Sequence, residues 1–253
     1  MVQLRIPYRI QKLVWKFFPY RAKQFTSLRP SFINKSGLEI GGSSSYFEFR
    51  GSLPVYTLAK ALDNVVVAPP SVGATVPLQG YNFQFGNVEE SGYQFVQEAS
   101  LLPFIEDESY EFLISSHVLE HIANPLKAIL EWKRVLRPDS ISLHLIPIPG
   151  NCFDHKRPVT EFNHLLEDYQ FNRSEDDLTH LEEVLELHDH SRNSCDMTEQ
   201  EFVSWCNKNH EHRIMHHHVF NRELLKKCFE WAGYQDIQVE ELDPVSYIVT
   251  AKT

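Results

Sequence analysis

The chain has 253 residues, of which 42% are hydrophobic and 12% aromatic, enough to build one large domain or one domain with an insertion. Its formal net charge is −10 at pH 7, which argues against a nucleic-acid substrate because neutralising phosphates requires a basic surface. No stretch approaches the roughly eighteen apolar residues that a membrane-spanning helix requires.

The N-terminal segment, residues 1–36, differs from the rest in charge. The first 38 residues carry eight Lys or Arg and no acid. Their apolar residues fit amphipathic helices broken at Pro7 and Pro19. Two interpretations stay open: a helical lid that packs on the acidic domain, or peripheral contact of residues 1–30 with an anionic membrane.

The compartment expected from the sequence is the cytoplasm. Basic residues interrupt every apolar run near the N-terminus, so no signal peptide is predicted. Four cysteines show no CxxC spacing and are expected to be reduced thiols: Cys152, Cys195, Cys206 and Cys228.

Strands and helices are predicted to alternate over residues 37–150. Residues 37–42 predict an apolar strand that ends in a glycine turn, with Ser43 to Ser45 beginning a helix. Asn124 and Pro125 predict the cap and first residue of a helix that ends near Val135. Further strands are predicted at residues 53–56, 95–99, 110–114 and 141–147. This alternation predicts an α/β fold with a doubly wound, mostly parallel sheet, whose ligands bind at the carboxyl ends of its strands.

Composition changes after residue 150. Residues 151–218 hold ten of the thirteen histidines and predict an inserted helical cap, with helices beginning at Thr160 and near Ser174. Because the cap follows the carboxyl end of the fifth strand, we expect it to cover the ligand crevice. Residues 219–253 predict a helix from Asn221 to Gly233 and a strand pair that complete the core.

An ordered set of motifs runs through residues 37–150. The motifs are Glu39-Ile-Gly-Gly, Glu98-Ala99-Ser-Leu-Leu-Pro-Phe104, Asp107-Glu-Ser-Tyr-Glu-Phe-Leu, His117-Val-Leu-Glu-His121 and Arg134-Val-Leu-Arg-Pro138. In order and spacing, the set resembles the type-11 class I S-adenosylmethionine-dependent methyltransferases, and the cap resembles that of a bacterial subgroup. The resemblance implies a Rossmann-like fold, S-adenosylmethionine as cofactor and methyltransferase activity.

The resemblance also implies which residues bind the cofactor. They are Glu39, Gly41, Gly42, Ser43, Asp63, Glu98, Ala99, Ser116 and His117. Glu39 would orient the glycine loop near the methionine group, and Glu98 would contact the adenine amino group. Asp63 is the candidate for the acid that holds the ribose, because Tyr56 occupies the usual position of that acid. A structural interpretation stays open for some of these residues. Glu39 and Glu98 would then be solvated carboxylates at strand ends, and His117 would be a packed structural histidine.

The cap supplies candidates for the acceptor chemistry. The acceptor is expected to be a hydroxyl of a saccharide or another small polar metabolite, and a hydroxyl requires a base, for which histidine suits neutral pH. His155 is the first candidate, with Asp154 as its orienting group or a second base, and His218 is the next. In place of a base, a divalent cation would lower the pKa of the hydroxyl. Its candidate ligands are Asp176, Asp177, His180, His216 and His218.

Two rival functions come from other classes. One is a metal-dependent hydrolase that uses the His/Asp-rich cap. No residues are assigned as its metal ligands. The other is a non-catalytic interaction module that keeps the fold. Arg157 fits either binding of an anionic substrate or pairing with the acidic cap. The sequence contains no signal for an oligomeric state.

Overall fold

The computed structural model describes residues 22–67, 76–86, 91–192 and 197–253. Within these ranges the strands are β1 (Ser36–Ile40), β2 (Ala61–Val66), β3 (Gly80–Phe83), β4 (Gly92–Val96), β5 (Tyr110–Ser116), β6 (Leu136–Pro147), β7 (Gln235–Glu241) and β8 (Ser246–Lys252). The α-helices are α1 (Phe25–Leu28), α2 (Pro125–Arg134), α3 (Phe162–Gln170), α4 (Leu181–Leu187), α5 (Glu199–Cys206), α6 (Asn209–His212) and α7 (Arg222–Trp231).

The strands form one sheet in the order β3-β4-β2-β1-β5-β6-β8-β7. The five strands β4, β2, β1, β5 and β6 are parallel, whereas β3, β8 and β7 pair antiparallel. The predicted α/β architecture with a mostly parallel sheet is therefore confirmed. The strand order reverses between β1 and β5, so the crevice for a ligand lies at the carboxyl ends of these two strands.

The two faces of the sheet are covered differently. Helices α2 and α7 pack on one face through large apolar side chains such as Trp132 and Phe229, both fully buried. The opposite face is covered by residues 22–58, which contribute Phe32, Phe47 and Leu53. The helix predicted after β1 is absent, and residues 41–54 form turns and bends. The run of two glycines and three serines favours this outcome, because both residue types are weak helix formers.

The prediction for the second strand was wrong. Residues 53–56 were expected to be a strand, but Val55–Thr57 form a 3-10 turn and the strand is Ala61–Val66. Pro54 lacks a backbone donor, and Leu53, Val55 and Tyr56 are buried against the sheet face. Their apolar character therefore reflects packing on the sheet and not pairing within it. The third predicted strand is also displaced, because β4 ends at Val96 and leaves Glu98 and Ala99 in the following loop.

The ends of helices α2 and α7 agree with the sequence predictions. Asn124 caps α2 by accepting the amide hydrogen of Lys127 at 3.1 Å, and Pro125 takes the first helical position. Asn221 caps α7 in the same way, and Gly233 follows its end with φ of +79°. Side-chain caps and a left-handed glycine are local signals, which explains why the sequence predicts these helix ends.

The cap was predicted only in part. Its first helix begins at Phe162, and Thr160 does not cap it but accepts the amide hydrogen of Val219 at 3.0 Å. The helix expected near Ser174 does not form, because residues 174–180 make turns and α4 begins at Leu181. The Glu175 carboxylate points inward and accepts the amide hydrogen of Ala123 at 3.0 Å.

Most of the basic N-terminal segment, residues 1–21, lies outside the described residues. The part that follows packs on the domain, since Ala22 and Phe25 are buried in the core of the second face. None of the helices in the described ranges is long and apolar enough to cross a membrane.

Candidate functional site

A cavity of about 500 Å³ opens at the carboxyl ends of the parallel strands. Ile40 and Gly41 line it from β1, Val65 and Val66 from β2, and the loop after β4 contributes Glu98 and Ala99. The cap forms the opposite wall. Its lining residues are Cys152, Phe153, Glu175, Met197, Trp205, His212, Arg213, Ile214 and His216. The cap therefore covers the crevice, as expected from its place after the last parallel strand.

Gly41 brings the loop after β1 against the cavity. Its φ is +101°, and a Cβ built there would lie 2.4 Å from Cγ2 of Val118. Its amide donates to the carbonyl of Val65 at 2.7 Å, and the amide of Gly42 donates to Asn64 Oδ1 at 3.0 Å. Gly42 and Ser43 are not among the lining residues. The close backbone approach that a bound cofactor needs is therefore provided at Gly41.

Glu39 acts on the glycine loop through Tyr56. The Tyr56 hydroxyl donates to the Glu39 carboxylate, with O···O distances of 2.8 and 3.0 Å, and accepts the amide hydrogen of Ser44 at 2.8 Å. Glu39 is fully buried, and burial raises its pKa well above the usual range. The carboxylate does not line the cavity, so it orients the loop from beneath.

Asp63 does not fit the ribose-binding role expected of it. It lies in the middle of β2, and its carboxylate accepts the amide hydrogen of Tyr93 at 2.7 Å and the hydroxyl of Tyr110 at 2.8 Å. Tyr93 lies on the neighbouring strand β4 and Tyr110 on β5, two strands away, so Asp63 links strands of the sheet, and it does not line the cavity. The displaced second strand accounts for this, because Asp63 lies within β2 and not beyond its end.

Glu98 and Ala99 do line the cavity, but Glu98 already has a partner in the cap. Its carboxylate forms an ion pair with Arg213, whose side chain is 14% exposed. Arg213 also donates to the carbonyl of Asn209 at 3.2 Å. A ligand that used the Glu98 carboxylate would share it with this guanidinium.

The end of β5 contributes His117 but not Ser116. Ser116 Oγ accepts a hydrogen bond from Ser44 Oγ at 3.1 Å and does not line the cavity. His117 lines it with φ of +55°, and its Nδ1 lies 3.4 Å from Glu120 Oε1. Burial would lower the pKa of His117, but the Glu120 carboxylate outweighs burial and the pKa is raised.

Beyond His117, Glu120, His121 and His216 line one wall, and Asp154 pairs with His216 outside the lining. We call these four residues the cavity cluster. His216 Nδ1 lies 2.8 Å from Asp154 Oδ2, and His121 Nδ1 lies 3.1 Å from the carbonyl of Met215. The two imidazole rings meet edge to face with centroids 4.5 Å apart. In both rings Nδ1 is occupied, which leaves Nε2 available to accept a proton or a ligand.

The electrostatics of the cavity cluster favour a neutral His121 and an ionised Asp154. Burial, and then His216, lowers the pKa of His121 to about 4. Burial would raise the pKa of Asp154, but the hydrogen bond from His216 outweighs it and lowers the pKa to about 2. Asp154 is therefore a carboxylate that holds an imidazole in place.

The structure places the predicted catalytic residues differently from the sequence-based expectation. His155 does not line the cavity; its Nε2 lies 2.9 Å from Asp189 Oδ2. Asp154 orients a histidine as expected, but that histidine is His216. His218 is 1% exposed, and its Nε2 lies 3.2 Å from the carbonyl of Ala123, away from the cavity. Sequence reasoning missed His216 as the partner of Asp154 because 62 residues separate them.

Arg157 pairs within the cap, which is the second of the two roles considered for it. Its buried guanidinium donates to the carbonyls of His216 and His217 at 2.6 and 3.0 Å and to Glu183 at 2.7 Å. It thereby fixes the backbone that carries His216.

Possible cation ligands also differ from those expected. One ligand atom from each of Glu120, His121 and His216 lies within 4.8 Å of the others. The acids proposed as cation ligands beside His180 do not form a ligand group with that histidine. Asp176 is 80% exposed, and Asp177 lies 3.8 Å from Arg173.

Comparisons with known proteins agree with the fold. A family model described as a methyltransferase domain matches residues 82–144. An S-adenosylmethionine-dependent methyltransferase structure from Mesorhizobium loti is similar, with a TM-score of 0.52, 10% identity, and coverage of 91% of this chain and 96% of that one. A methyltransferase from Aquifex aeolicus has a TM-score of 0.46 and 13% identity, with 97% of each chain covered. None of the curated proteins is a significant match.

Proposed function

We propose that this chain is a class I S-adenosylmethionine-dependent methyltransferase that methylates a hydroxyl oxygen of a saccharide or another small polar acceptor. The methyltransferase-domain match over residues 82–144 and the fold shared with the Mesorhizobium loti structure support this proposal. The observation that carries the proposal is that His216, which lines the cavity, is paired with Asp154 behind it. A hydroxyl is a weak nucleophile until a base removes its proton, and an oriented imidazole is suited to that task at neutral pH.

The residues at the strand ends fit the cofactor. When bound, S-adenosylmethionine supplies an electrophilic methyl group on a sulfonium. Gly41 offers backbone without a side chain, Glu98 offers a carboxylate for the adenine amino group, and Ala99 and His117 border the same space. Walls that exclude water and hold the acceptor oxygen in line with the methyl group contribute much of the rate acceleration in such a reaction.

His216 is the proposed base. Its Nδ1–H donates to Asp154, so Nε2 carries a lone pair and accepts the hydroxyl proton as the oxygen attacks the methyl carbon. Methyl transfer to this oxygen would break the carbon–sulfur bond of bound S-adenosylmethionine and leave the electron pair on sulfur. The ionised Asp154 stabilises the imidazolium that results.

The acceptor side of the cavity fits a small polar molecule with an apolar face. Trp205 contributes aromatic surface, stacked on His212 with ring centroids 4.1 Å apart, and Met197 and Ile122 add apolar wall. Such mixed walls with a few polar groups are typical of small-molecule sites.

We further propose that the basic segment of residues 1–30 brings the enzyme to an anionic membrane surface.

A second mechanism uses the same cavity cluster. Glu120, His121 and His216 fit a divalent cation, because two imidazoles and a carboxylate are a common ligand set. A cation would lower the pKa of the acceptor hydroxyl and hold a neighbouring oxygen. Replacement of His121 separates the two mechanisms: His121→Ala removes a cation ligand but leaves the Asp154–His216 pair intact.

We expect Glu98→Gln to weaken S-adenosylhomocysteine binding by about 1–3 kcal/mol, the cost of losing a hydrogen bond to a charged acceptor. Isothermal titration calorimetry measures the change. Glu106→Gln is the matched control, because Glu106 is an exposed acid outside the cavity. Equal affinities in the two variants would restrict the role of Glu98 to its ion pair with Arg213.

The proposed function is tested with methyl-labelled S-adenosylmethionine and a panel of saccharides that carry free hydroxyls. Their permethylated forms are the matched controls, since these offer no hydroxyl. We expect release of S-adenosylhomocysteine and gain of one methyl group only with free hydroxyls. Methylation at nitrogen would contradict the proposal. Cofactor binding without turnover on any acceptor would favour a non-catalytic module, and cleavage without methyl gain would favour the hydrolase.

A further inference from the structure

A second histidine cluster lies inside the cap, apart from the cavity. It consists of His164 and Asp168 on α3, His180 before α4, and His218 at the end of the cap, and we call it the cap cluster. One ligand atom from each of the three histidines lies within 4.8 Å of the others. None of the four residues lines the 500 Å³ cavity.

The polar atoms of the cap cluster converge at short distances. His164 Nε2 lies 2.9 Å from His180 Nε2 and 3.4 Å from Asp168 Oδ2. Nitrogens that share a tetrahedral zinc ion at Zn–N distances of about 2.0–2.1 Å lie roughly 3.3 Å apart. The observed spacing brackets that value.

Two buried atoms of the cap cluster lack the partners that burial normally requires. Asp168 Oδ2 and His218 Nδ1 have no hydrogen-bond partner among the described residues, although both side chains are at least 97% buried. The Ala123 carbonyl, 3.2 Å from His218 Nε2, takes the hydrogen on that nitrogen and leaves Nδ1 as a buried lone pair. Buried polar atoms without partners are rare in native proteins, and an ion is one of the recognised explanations.

The cap cluster reaches solvent through His164. Asp168 and His218 are only 3% and 1% exposed. His164 is 34% exposed, which leaves an entry path for an ion.

We propose that His164, Asp168, His180 and His218 form a structural zinc site. Three imidazoles and one carboxylate match the ligand types and number of a closed tetrahedral site. The ion would join α3, the turn before α4 and the segment that ends the cap. That segment carries His216 two residues before His218, so the zinc site would hold the acceptor side of the cavity in place. This role goes beyond the proposed methyl transfer and does not depend on which acceptor is used.

The test uses the full chain without a histidine tag, in a His121→Ala background so that the cavity cluster does not bind zinc. His180→Ala is added as the test variant. His210→Ala is added as the matched control, because His210 is 49% exposed and lies outside both clusters. The proteins are stripped with a chelator, loaded with Zn²⁺ and desalted. Zinc is then measured by elemental analysis, and Tm by calorimetry.

We expect one zinc per chain in the background and control proteins and none in the His180→Ala protein. Zinc at 1,000 times its Kd should raise the Tm of the first two by about 10 °C. Equal zinc in the test and control variants, or none in the background, would overturn the proposal and leave an ordinary His164–His180 hydrogen bond. Should His180→Ala not fold, Co²⁺ loaded into the background protein decides: visible bands of tetrahedral cobalt support the site, and their absence removes it.

Discussion

Replacing His216 with alanine should lower the turnover number by about 10²–10⁴-fold, the range expected when a general base is lost. The reason is its position: His216 lines the cavity, and Asp154 occupies its Nδ1, which leaves Nε2 for the hydroxyl proton. The affinity for S-adenosylhomocysteine should change little, because the cofactor-binding residues lie on other elements. Steady-state kinetics with the identified acceptor and calorimetry measure the two quantities.

His155→Ala is the matched control for this prediction. His155 follows Asp154 directly in the sequence but pairs with Asp189 and faces away from the cavity, so its removal should leave turnover near that of the unmodified protein. His121→Ala should also keep most of its activity if His216 is the base, whereas a cation mechanism predicts a loss in both. An inactive His155→Ala protein beside an active His216→Ala protein would reverse the assignment of the base.

Gly41→Ala should weaken S-adenosylhomocysteine binding by at least about 100-fold. A methyl group at this position would lie 2.4 Å from Cγ2 of Val118, which also lines the cavity, so the turn or Val118 would have to shift. The substitution also imposes a left-handed conformation on a residue with a Cβ, at a cost of about 1–2 kcal/mol. Calorimetric titration measures the affinity, and a thermal scan measures the stability.

Gly150→Ala controls for the backbone strain alone. Gly150 has φ of +88°, close to that of Gly41, but nothing lies within 4 Å of a Cβ built there. Both variants should lose similar stability from strain, and only Gly41→Ala should lose the ligand. Wild-type affinity in a folded Gly41→Ala protein would show that the ligand does not approach this turn.

Much of the frame of this protein was determined by the sequence itself. The glycine turn at Gly41, the cap at Asn124 and the helix end at Gly233 were predicted because each depends on a few adjacent residues and their backbone preferences. Alternation of strands and helices then predicts a parallel sheet, and a parallel sheet places its ligand at the carboxyl ends of its strands. The location of the cavity follows from these local rules.

Only the tertiary structure decided which side chains meet in that cavity. Asp154 pairs with His216 and not with the adjacent His155. Glu98 forms an ion pair with Arg213, and Asp63 forms a hydrogen bond between strands. These pairs are 30 or more residues apart in the chain, so their geometry depends on how the strands pair, how the cap folds and how the cap packs on the sheet. Local patterns carry no information on such packing, since hydrophobic burial is non-directional and many arrangements of one amphipathic cap satisfy it. Local sequence patterns therefore place the cavity at the carboxyl ends of the strands, and the packing of the cap decides which histidines line it.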